Sequence, residues 1–248
     1  MRWKRSDIRV IVFDWGGTLC GASREREVMA ACAEATVAAA RRAGLPVSPG
    51  AVGQLLNLGR GYATRPAEPP EYREYDVRAV LAEWLRGACG LPAPDGTLDG
   101  ILTACWERWI GCLDAYEGVP QAVERLAGAG YVLGLMSNTA APAWACEKEL
   151  SRLGLDRCLR FAEFSSRLGR RKPHPFVYEA VMEHARTHSP GVSPGKVLFV
   201  GDTPDADVAG PARAGMRTAL VGSAVLPADV QPDLQVAAVP DLLNHLEV

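Results

Sequence analysis

The strongest constraint on the fold is a regular alternation of apolar and helical segments in the second half of the chain. Segments typical of buried strands occur at residues 131–136, 159–164, 196–200 and 218–221, and helical periodicity separates them. A further apolar run, residues 8–13, lies near the N-terminus and is too short to cross a membrane. Because such alternation builds parallel sheets with helices on both faces, we predict an α/β fold around these strands.

Polar residues directly follow three of the predicted strands. Asp14 follows the first apolar run and precedes two glycines that allow a sharp turn, Ser137 follows the second strand, and Asp202 comes just after the fourth. The carboxyl ends of parallel strands lie at the same sheet edge, where open α/β sheets bind their ligands. We therefore expect these side chains to converge at one site.

Residues 22–113 differ from the rest of the chain because they show helical patterns and no convincing strand. Ser23 is predicted to cap the first of these helices, and the Gly/Pro-rich stretch 59–70 is predicted to be a loop. The segment is long enough to hold a small core of its own. We therefore predict an α/β domain formed by residues 1–21 and 114–248, and a helical domain between them.

Composition argues against several classes of protein. A net charge of −2 offers no basic surface for nucleic acid. The seven cysteines include no Cys-x-x-Cys pair and most lie in apolar helical patterns, which is typical of reduced cysteines in a cytoplasmic protein. Because Asp14 interrupts the apolar N-terminal stretch and no cleavage site follows, we do not expect this stretch to act as a secretion signal. We expect a cytoplasmic protein with neither membrane nor nucleic acid as a partner.

Four short motifs occur in order along the chain. They are Asp14-x-Gly-Gly-Thr, Ser137-Asn138, Lys172-Pro173-x-Pro175 and Gly201-Asp202-x-x-x-x-Asp207. Each motif recurs by chance, but the ordered set resembles the haloacid dehalogenase superfamily of hydrolases, most of which are magnesium-dependent phosphatases. The resemblance covers residues 8–19 and about 116–225, and one subclass inserts a helical cap after the first motif. It implies a Rossmann-like parallel-sheet core with an inserted all-α cap domain.

The resemblance implies a role for each motif residue in phosphoryl transfer. Asp14 would attack phosphorus and form an aspartyl phosphate, and Lys172 would pair with Asp14 and the phosphoryl group. Mg²⁺ would be bound by Asp14, the backbone carbonyl of Gly16 and Asp202, while Asp207 would hold metal-bound waters or bind the metal loosely. The phosphate would be bound by a further set of residues, namely Gly16, Gly17, Thr18, Ser137, Asn138 and Lys172.

Charge repulsion makes both cations necessary in such a site. Two carboxylates about 4 Å apart repel by roughly 4 kcal/mol at an effective dielectric near 20. Without Lys172 and a metal ion, the converging acids would have raised pKa values and would no longer serve as nucleophile or ligands.

Gly16 departs from the family pattern, because phosphatases of the family usually carry a second Asp there as general acid and base. General acid–base catalysis contributes about 10²–10⁴-fold in rate. Three explanations stay open: substrates with good leaving groups, a slow or inactive binding relative, or a proton donor in the helical segment. The candidates for that donor are Glu25, Glu27, Tyr62 and Glu68.

Two other reactions of the superfamily fit these residues less well. Phosphonoacetaldehyde hydrolases use a cap lysine that forms a Schiff base, but none of the four lysines of this chain lies in residues 22–113. True haloacid dehalogenases work without metal and lack the acid at the position of Asp202. Retention of Asp202 therefore favours phosphoryl transfer over cleavage of a carbon–halogen bond.

The predicted function is that of a Mg²⁺-dependent phosphohydrolase acting on a small phosphorylated metabolite, as a monomer or homodimer. Trp15, Arg60 and Arg65 are candidates to contact the remote part of the substrate, although each arginine alone is more typical of a surface residue. The alternative is a catalytically weak or inactive module that binds a phosphorylated ligand or partner, and it rests on Gly16.

Overall fold

A six-stranded parallel sheet forms the core of the molecule. The computed structural model describes residues 2–63, 71–90, 94–228 and 230–248, with the backbone alone at 59–63 and 95. The strands of this part of the chain are β1 (Val10–Phe13), β2 (Cys20–Gly21), β3 (Asp114–Ala115), β4 (Val132–Ser137), β5 (Phe161–Phe164), β6 (Val197–Gly201), β7 (Arg217–Val221) and β8 (Leu234–Val236). The sheet has the order β5-β4-β1-β6-β7-β8, and all its neighbouring pairs are parallel, which confirms the predicted fold class.

Helices precede and follow most of these strands. They are α1 (Glu25–Arg42), α2 (Ala51–Ala63), α3 (Val77–Cys89), α4 (Asp95–Trp109), α5 (Val119–Gly128), α6 (Ala143–Arg152), α7 (Ser165–Leu168), α8 (Pro175–His188) and α9 (Gly210–Arg213). A π-helical turn over Pro204–Ala209 leads into α9. Within the described ranges, no helix combines the length and apolarity needed to cross a bilayer.

Both faces of the sheet are covered by helices. In β1, Ile11 and Phe13 belong to one hydrophobic cluster with residues of α5 and α6, whereas Val10 and Val12 belong to a second cluster with residues of α8. Successive strand residues point to opposite faces, so a central parallel strand needs an unbroken apolar run. The sequence pattern did not predict the edge strand β8, because it is three residues long and only its last residue is buried.

Helices α1 to α4 lie between β2 and β3 and share a hydrophobic cluster of their own. Helix α2 extends to Ala63, so the loop predicted for 59–70 is wrong for residues 59–63, while 64–70 lie outside the described residues. The two glycines in this stretch each cost about 1 kcal/mol in a helix. Leu55 and Leu58 of α2 pack against the cluster, and this packing outweighs the cost.

A short antiparallel ribbon joins the two ends of this helical segment. Strand β2 pairs with β3, so the chain enters and leaves the helices at the same place. The predicted cap at Ser23 is wrong, because α1 begins at Glu25 and has no side-chain cap. The Ser23 hydroxyl instead hydrogen-bonds to Asp114 of β3, which ties the two crossings together.

The segment between α4 and β3 is anchored by a buried carboxylate. Glu149 of α6, with a fully buried side chain, accepts hydrogen bonds from the N–H groups of Gly111 (2.8 Å) and Leu113 (3.0 Å) and pairs with Arg152 at 2.9 Å. Burial opposes its ionisation, but the hydrogen bonds from Arg152, Gly111 and Leu113 outweigh burial and lower the pKa of Glu149.

We expect Glu149→Gln to lower the free energy of unfolding at pH 7 by about 2–3 kcal/mol, because the substitution removes the charge and turns one of the two acceptor oxygens into an NH2 group that faces donors. Urea denaturation measures this change. The control is Glu147→Gln on the same helix, whose exposed carboxylate pairs with Arg167 and should contribute about 0.5 kcal/mol or less. Because the folded pKa of Glu149 is depressed, its stabilisation is complete above the unfolded pKa of about 4.3 and is lost as the pH falls through the folded value. Equal losses in the two variants would contradict this assignment.

Candidate active site

Asp14 lies directly after the central strand β1, at the carboxyl edge of the sheet. Its backbone N–H donates to the carbonyl of Val200 in β6 at 2.8 Å, which continues the strand pairing by one residue. The residue is 7% exposed. A carboxylate so nearly buried needs compensating charge and hydrogen bonds, and the surrounding residues supply them.

The turn after Asp14 brings Asp202 close to it. Gly17 has φ +84°, and a Cβ at this position would lie 2.4 Å from Oδ2 of Asp202, so only glycine fits. The Thr18 hydroxyl lies 3.4 Å from Oδ2 of Asp14 and 3.3 Å from Oδ1 of Asp202. Thr18 therefore bridges the two acids, and the N–H of Gly17 is engaged with the carbonyl of Cys20 at 2.8 Å.

Lys172 is a buried cation between two carboxylates. Its Nζ donates to Oδ1 of Asp14 at 2.7 Å and to Oδ1 of Asp207 at 2.6 Å. Asn138 holds the lysine backbone on both sides, because Oδ1 of Asn138 accepts from the Lys172 N–H (2.8 Å) and Nδ2 donates to the Lys172 carbonyl (3.0 Å). Asn138 of the Ser137-Asn138 motif thus positions Lys172 of the Lys172-Pro173-x-Pro175 motif.

Asp207 is oriented by the π-helical turn that follows β6. Its Oδ2 accepts a hydrogen bond from the N–H of Thr203 at 2.9 Å, and its own N–H donates to the Thr203 carbonyl at 2.8 Å. A Cβ on Gly201 would lie 2.3 Å from the Asp207 carboxylate, so the glycine of this motif makes room for the acid.

The three acids form one electrostatic unit with Lys172. One carboxylate oxygen from each of Asp14, Asp202 and Asp207 lies within 4.8 Å of the others. Burial and repulsion from Asp14 raise the pKa of Asp202. Burial also raises the pKa of Asp207 to about 7, because it outweighs the lowering effect of Lys172. Burial also opposes the charge of Lys172, but Asp14 and Asp207 outweigh it and raise the lysine pKa. Three acids sharing one lysine favour the binding of a further cation.

A cavity of about 400 Å³ opens beside this cluster. Most of the predicted residues line it, namely Asp14, Gly16, Ser137, Asn138, Lys172 and Asp207. Asp202, Gly17 and Thr18 are not among the residues that line the cavity. Asp205 is exposed, pairs with Arg213 at 3.5 Å and does not line the cavity.

Several lining residues were not predicted from the sequence. Trp109 and Leu113 come from the end of the helical segment, and Arg171 and Thr203 from the core. Of these, Arg171 carries a recognisable signal, because it directly precedes the motif lysine. Trp109 packs edge-on against Trp15, with ring centroids 6.1 Å apart.

The predicted donors and substrate contacts of the helical segment are not part of the described cavity. Glu25 and Glu27 do not line it. The side chains of Arg60, Tyr62, Arg65 and Glu68 lie outside the described residues. At Gly16 the backbone is exposed, and no heavy atom lies within 4 Å of a Cβ built there.

Comparison with known proteins identifies the family. A family model described as haloacid dehalogenase-like hydrolase matches residues 8–215, which include all four motifs. The chain belongs to this family. A curated relative, glyceraldehyde 3-phosphate phosphatase of Methanopyrus kandleri (strain AV19), is 34% identical over 107 residues. The aligned part covers 43% of this chain and 42% of that protein, so the chain spans less than half of the relative's length.

Solved structures of haloacid dehalogenase-like proteins share the fold over nearly the whole chain. A 2-haloacid dehalogenase from Pseudomonas syringae pv. Tomato has a TM-score of 0.68 and 24% identity, covering 96% of this chain and 97% of that one. A phosphatase from Thermococcus onnurineus has a TM-score of 0.62 and 19% identity, covering 97% and 100%. Because dehalogenases and phosphatases share this fold, the residues of the site must distinguish between them.

Proposed function

We propose that this hydrolase is a Mg²⁺-dependent phosphohydrolase acting on a small phosphorylated metabolite through an aspartyl phosphate. The observation that carries the proposal is the cluster of Asp14, Asp202 and Asp207 around Lys172. A metal-independent dehalogenase of the family lacks the acid at position 202, whereas phosphoryl transfer uses it as a metal ligand. The substrate in the name of the M. kandleri relative, glyceraldehyde 3-phosphate, supports the same substrate class.

The donor set of the site fits Mg²⁺, because the three clustered acids offer the hard oxygen ligands that this ion prefers. The oxygens of Asp207 are engaged by Lys172 and Thr203, so we assign direct binding to Asp14, Asp202 and the Gly16 carbonyl, and a supporting role to Asp207. Bound there, the ion would neutralise charge on the transferring phosphoryl group.

The residues of the chain would carry out the two displacement steps. A carboxylate oxygen of Asp14 attacks phosphorus, and the bond from phosphorus to the leaving oxygen breaks. Lys172 balances the charge on the nucleophile, while Ser137, which lines the cavity, binds a phosphate oxygen. The leaving oxygen departs as an anion and takes a proton from solvent. Water then attacks the same phosphorus and gives up a proton to solvent, the bond between phosphorus and Asp14 breaks, and phosphate leaves with the carboxylate restored.

We assign helices α1 to α4, within the proposed domain 22–113, the role of a cap that closes over the cavity. Trp109 and Leu113 at the end of this segment line the cavity, and the contact of Trp109 with Trp15 lies next to the nucleophile. Closure over a phosphoryl group would exclude bulk water and strengthen the electrostatic contacts inside.

The proposal is tested by assaying the purified protein with Mg²⁺ against 4-nitrophenyl phosphate and a panel of phosphate esters and acyl phosphates. We expect phosphate release that stops when EDTA removes the metal. The alternative of an inactive binding module, favoured by Gly16, predicts no turnover on any of these compounds. Release of halide from 2-chloropropionate in EDTA would instead identify a dehalogenase.

Replacement of Gly16 by Asp tests the missing acid directly. Since the position has open space, we expect Gly16→Asp to raise kcat on glycerol phosphate, which has a poor leaving group, by about 10²-fold. Hydrolysis of acetyl phosphate should change little, because its leaving group needs no proton. Gly50→Asp, which adds an acid at an exposed glycine of the helical segment, is the control. No gain on glycerol phosphate would exclude the missing acid as the limit on rate.

A further inference from the structure

Arg171 is a second cationic residue on the wall of the active-site cavity. It lines the same 400 Å³ space as Asp14 and Lys172. Lys172 contacts both Asp14 and Asp207, so its charge serves the acids and the reacting group at the centre of the site. Among the described lining residues, Arg171 is therefore the cation that is free of the catalytic acids.

The Arg171 side chain is held in place by the segment that precedes α3. Its backbone N–H donates to the Tyr72 carbonyl at 2.7 Å, and its guanidinium lies over the Tyr75 ring, 5.2 Å from the centroid. Its Nη1 lies 3.5 Å from Oε1 of Glu74, whose side chain is 2% exposed and also contacts Ser165. A guanidinium fixed in this way loses little conformational freedom when it binds an anion.

The guanidinium has donors beyond those used by Glu74. It carries five N–H groups in a planar fork, and the contact with Glu74 involves Nη1. The other edge of the fork matches a carboxylate or a phosphate in a bidentate arrangement. No role in phosphoryl transfer requires a cation at this position, because Lys172 and the metal site already serve the reacting group.

We propose that Arg171 binds a second anionic group of the substrate, so the substrate is a small phosphate ester that also carries a carboxylate or another phosphate. This inference rests on the proposed function of the same site. The cavity volume is at the lower end of the range for small-molecule sites, which suits a compound with a few atoms between its two anionic groups. Trp15, Trp109 and Leu113 form the apolar part of the lining.

The test compares substrates that differ only in the second charge. Phosphoglycolate and its neutral amide, phosphoglycolamide, differ in one carboxylate, and ethylene glycol bisphosphate and ethyl phosphate differ in one phosphate. We expect the wild-type protein to prefer the doubly anionic member of at least one pair by about 10- to 100-fold in kcat/KM. In Arg171→Gln the kcat/KM values of the two members of a pair should become nearly equal, mainly through a higher KM for the member with two anionic groups. Hydrolysis of the member with only one anionic group should change less than about 3-fold.

Two further variants separate substrate binding from folding. Arg170→Gln removes the neighbouring, partly exposed arginine that pairs with Glu71 and should keep the preference. In the double variant Arg171→Gln with Glu74→Gln, the buried Glu74 carboxylate that would otherwise lack its partner is removed as well. This variant should fold and should still lack the preference. Preference that survives loss of Arg171, or absence of preference in the wild type for both pairs, would overturn the inference.

Binding measurements keep this inference separate from the proposed activity. In Asp14→Asn with Mg²⁺, calorimetry should show phosphoglycolate binding more tightly than phosphoglycolamide, and the difference should vanish when Arg171→Gln is added. Absence of turnover on every ester would refute the phosphohydrolase while leaving this binding result to decide the role of Arg171. Turnover without any charge preference would refute the role of Arg171 alone.

Discussion

Asp14→Asn should abolish phosphate release, with kcat falling at least about 10³-fold on every substrate that the wild-type protein hydrolyses. The amide is nearly the same size as the carboxylate but is not a nucleophile for phosphorus at neutral pH. It also removes the charge that Lys172 contacts at 2.7 Å, so the phosphoryl group is no longer attacked or aligned. Steady-state phosphate release with Mg²⁺ measures the effect.

The matched control for this variant is Asp205→Asn. Asp205 is exposed and pairs with Arg213 outside the cavity, so its change should alter kcat by less than about 2-fold. If Asp14→Asn retained full turnover, the assignment of the nucleophile would be wrong.

Lys172→Met should lower both activity and stability. It leaves Asp14 and Asp207 buried without their shared cation, so we expect the free energy of unfolding in EDTA to fall by about 3–5 kcal/mol. Loss of transition-state charge stabilisation should lower kcat by about 10²–10³-fold. Urea denaturation and phosphate release measure the two effects separately.

A double-mutant cycle attributes the stability loss to charge. Adding Asp207→Asn to Lys172→Met removes one of the two unpaired acids and should recover at least about 1 kcal/mol. The control Lys196→Met, at an exposed lysine, should change stability by about 0.5 kcal/mol or less. A stability loss that the second substitution does not reduce would point to packing of the lysine stem instead.

The parallel sheet and the convergence of its strand ends could be predicted from the sequence. Strands β1, β4 and β6 are mainly apolar runs that end near Asp14, Ser137 and Asp202. Because the strands are parallel, these end residues lie at the carboxyl edge of the sheet, which is the edge that carries the site. The ordered motifs then identified Lys172 and Asp207, which the structure places within 3 Å of each other. This part of the site follows from local sequence because each residue is positioned by its own strand or turn.

The contacts between the helical segment and the core could not be predicted from the sequence. Glu74 meets Arg171, and Glu149 meets Gly111, across separations of 97 and 38 residues. These pairs depend on how the helices pack over the sheet, which periodicity does not specify. The loop predicted for 59–70 was wrong over residues 59–63 for a related reason. The glycines in this stretch disfavour a helix locally, but the packing of α2 against its cluster outweighs that preference.

The central claim is that Asp14 becomes phosphorylated, and a direct measurement is the mass of the acid-quenched protein after reaction with acetyl phosphate and Mg²⁺. We predict one phosphoryl adduct, located by peptide mapping on Asp14, absent in EDTA and absent in Asp14→Asn. An adduct that maps to another residue, or turnover of acetyl phosphate in which Asp14 is never modified, would contradict the account.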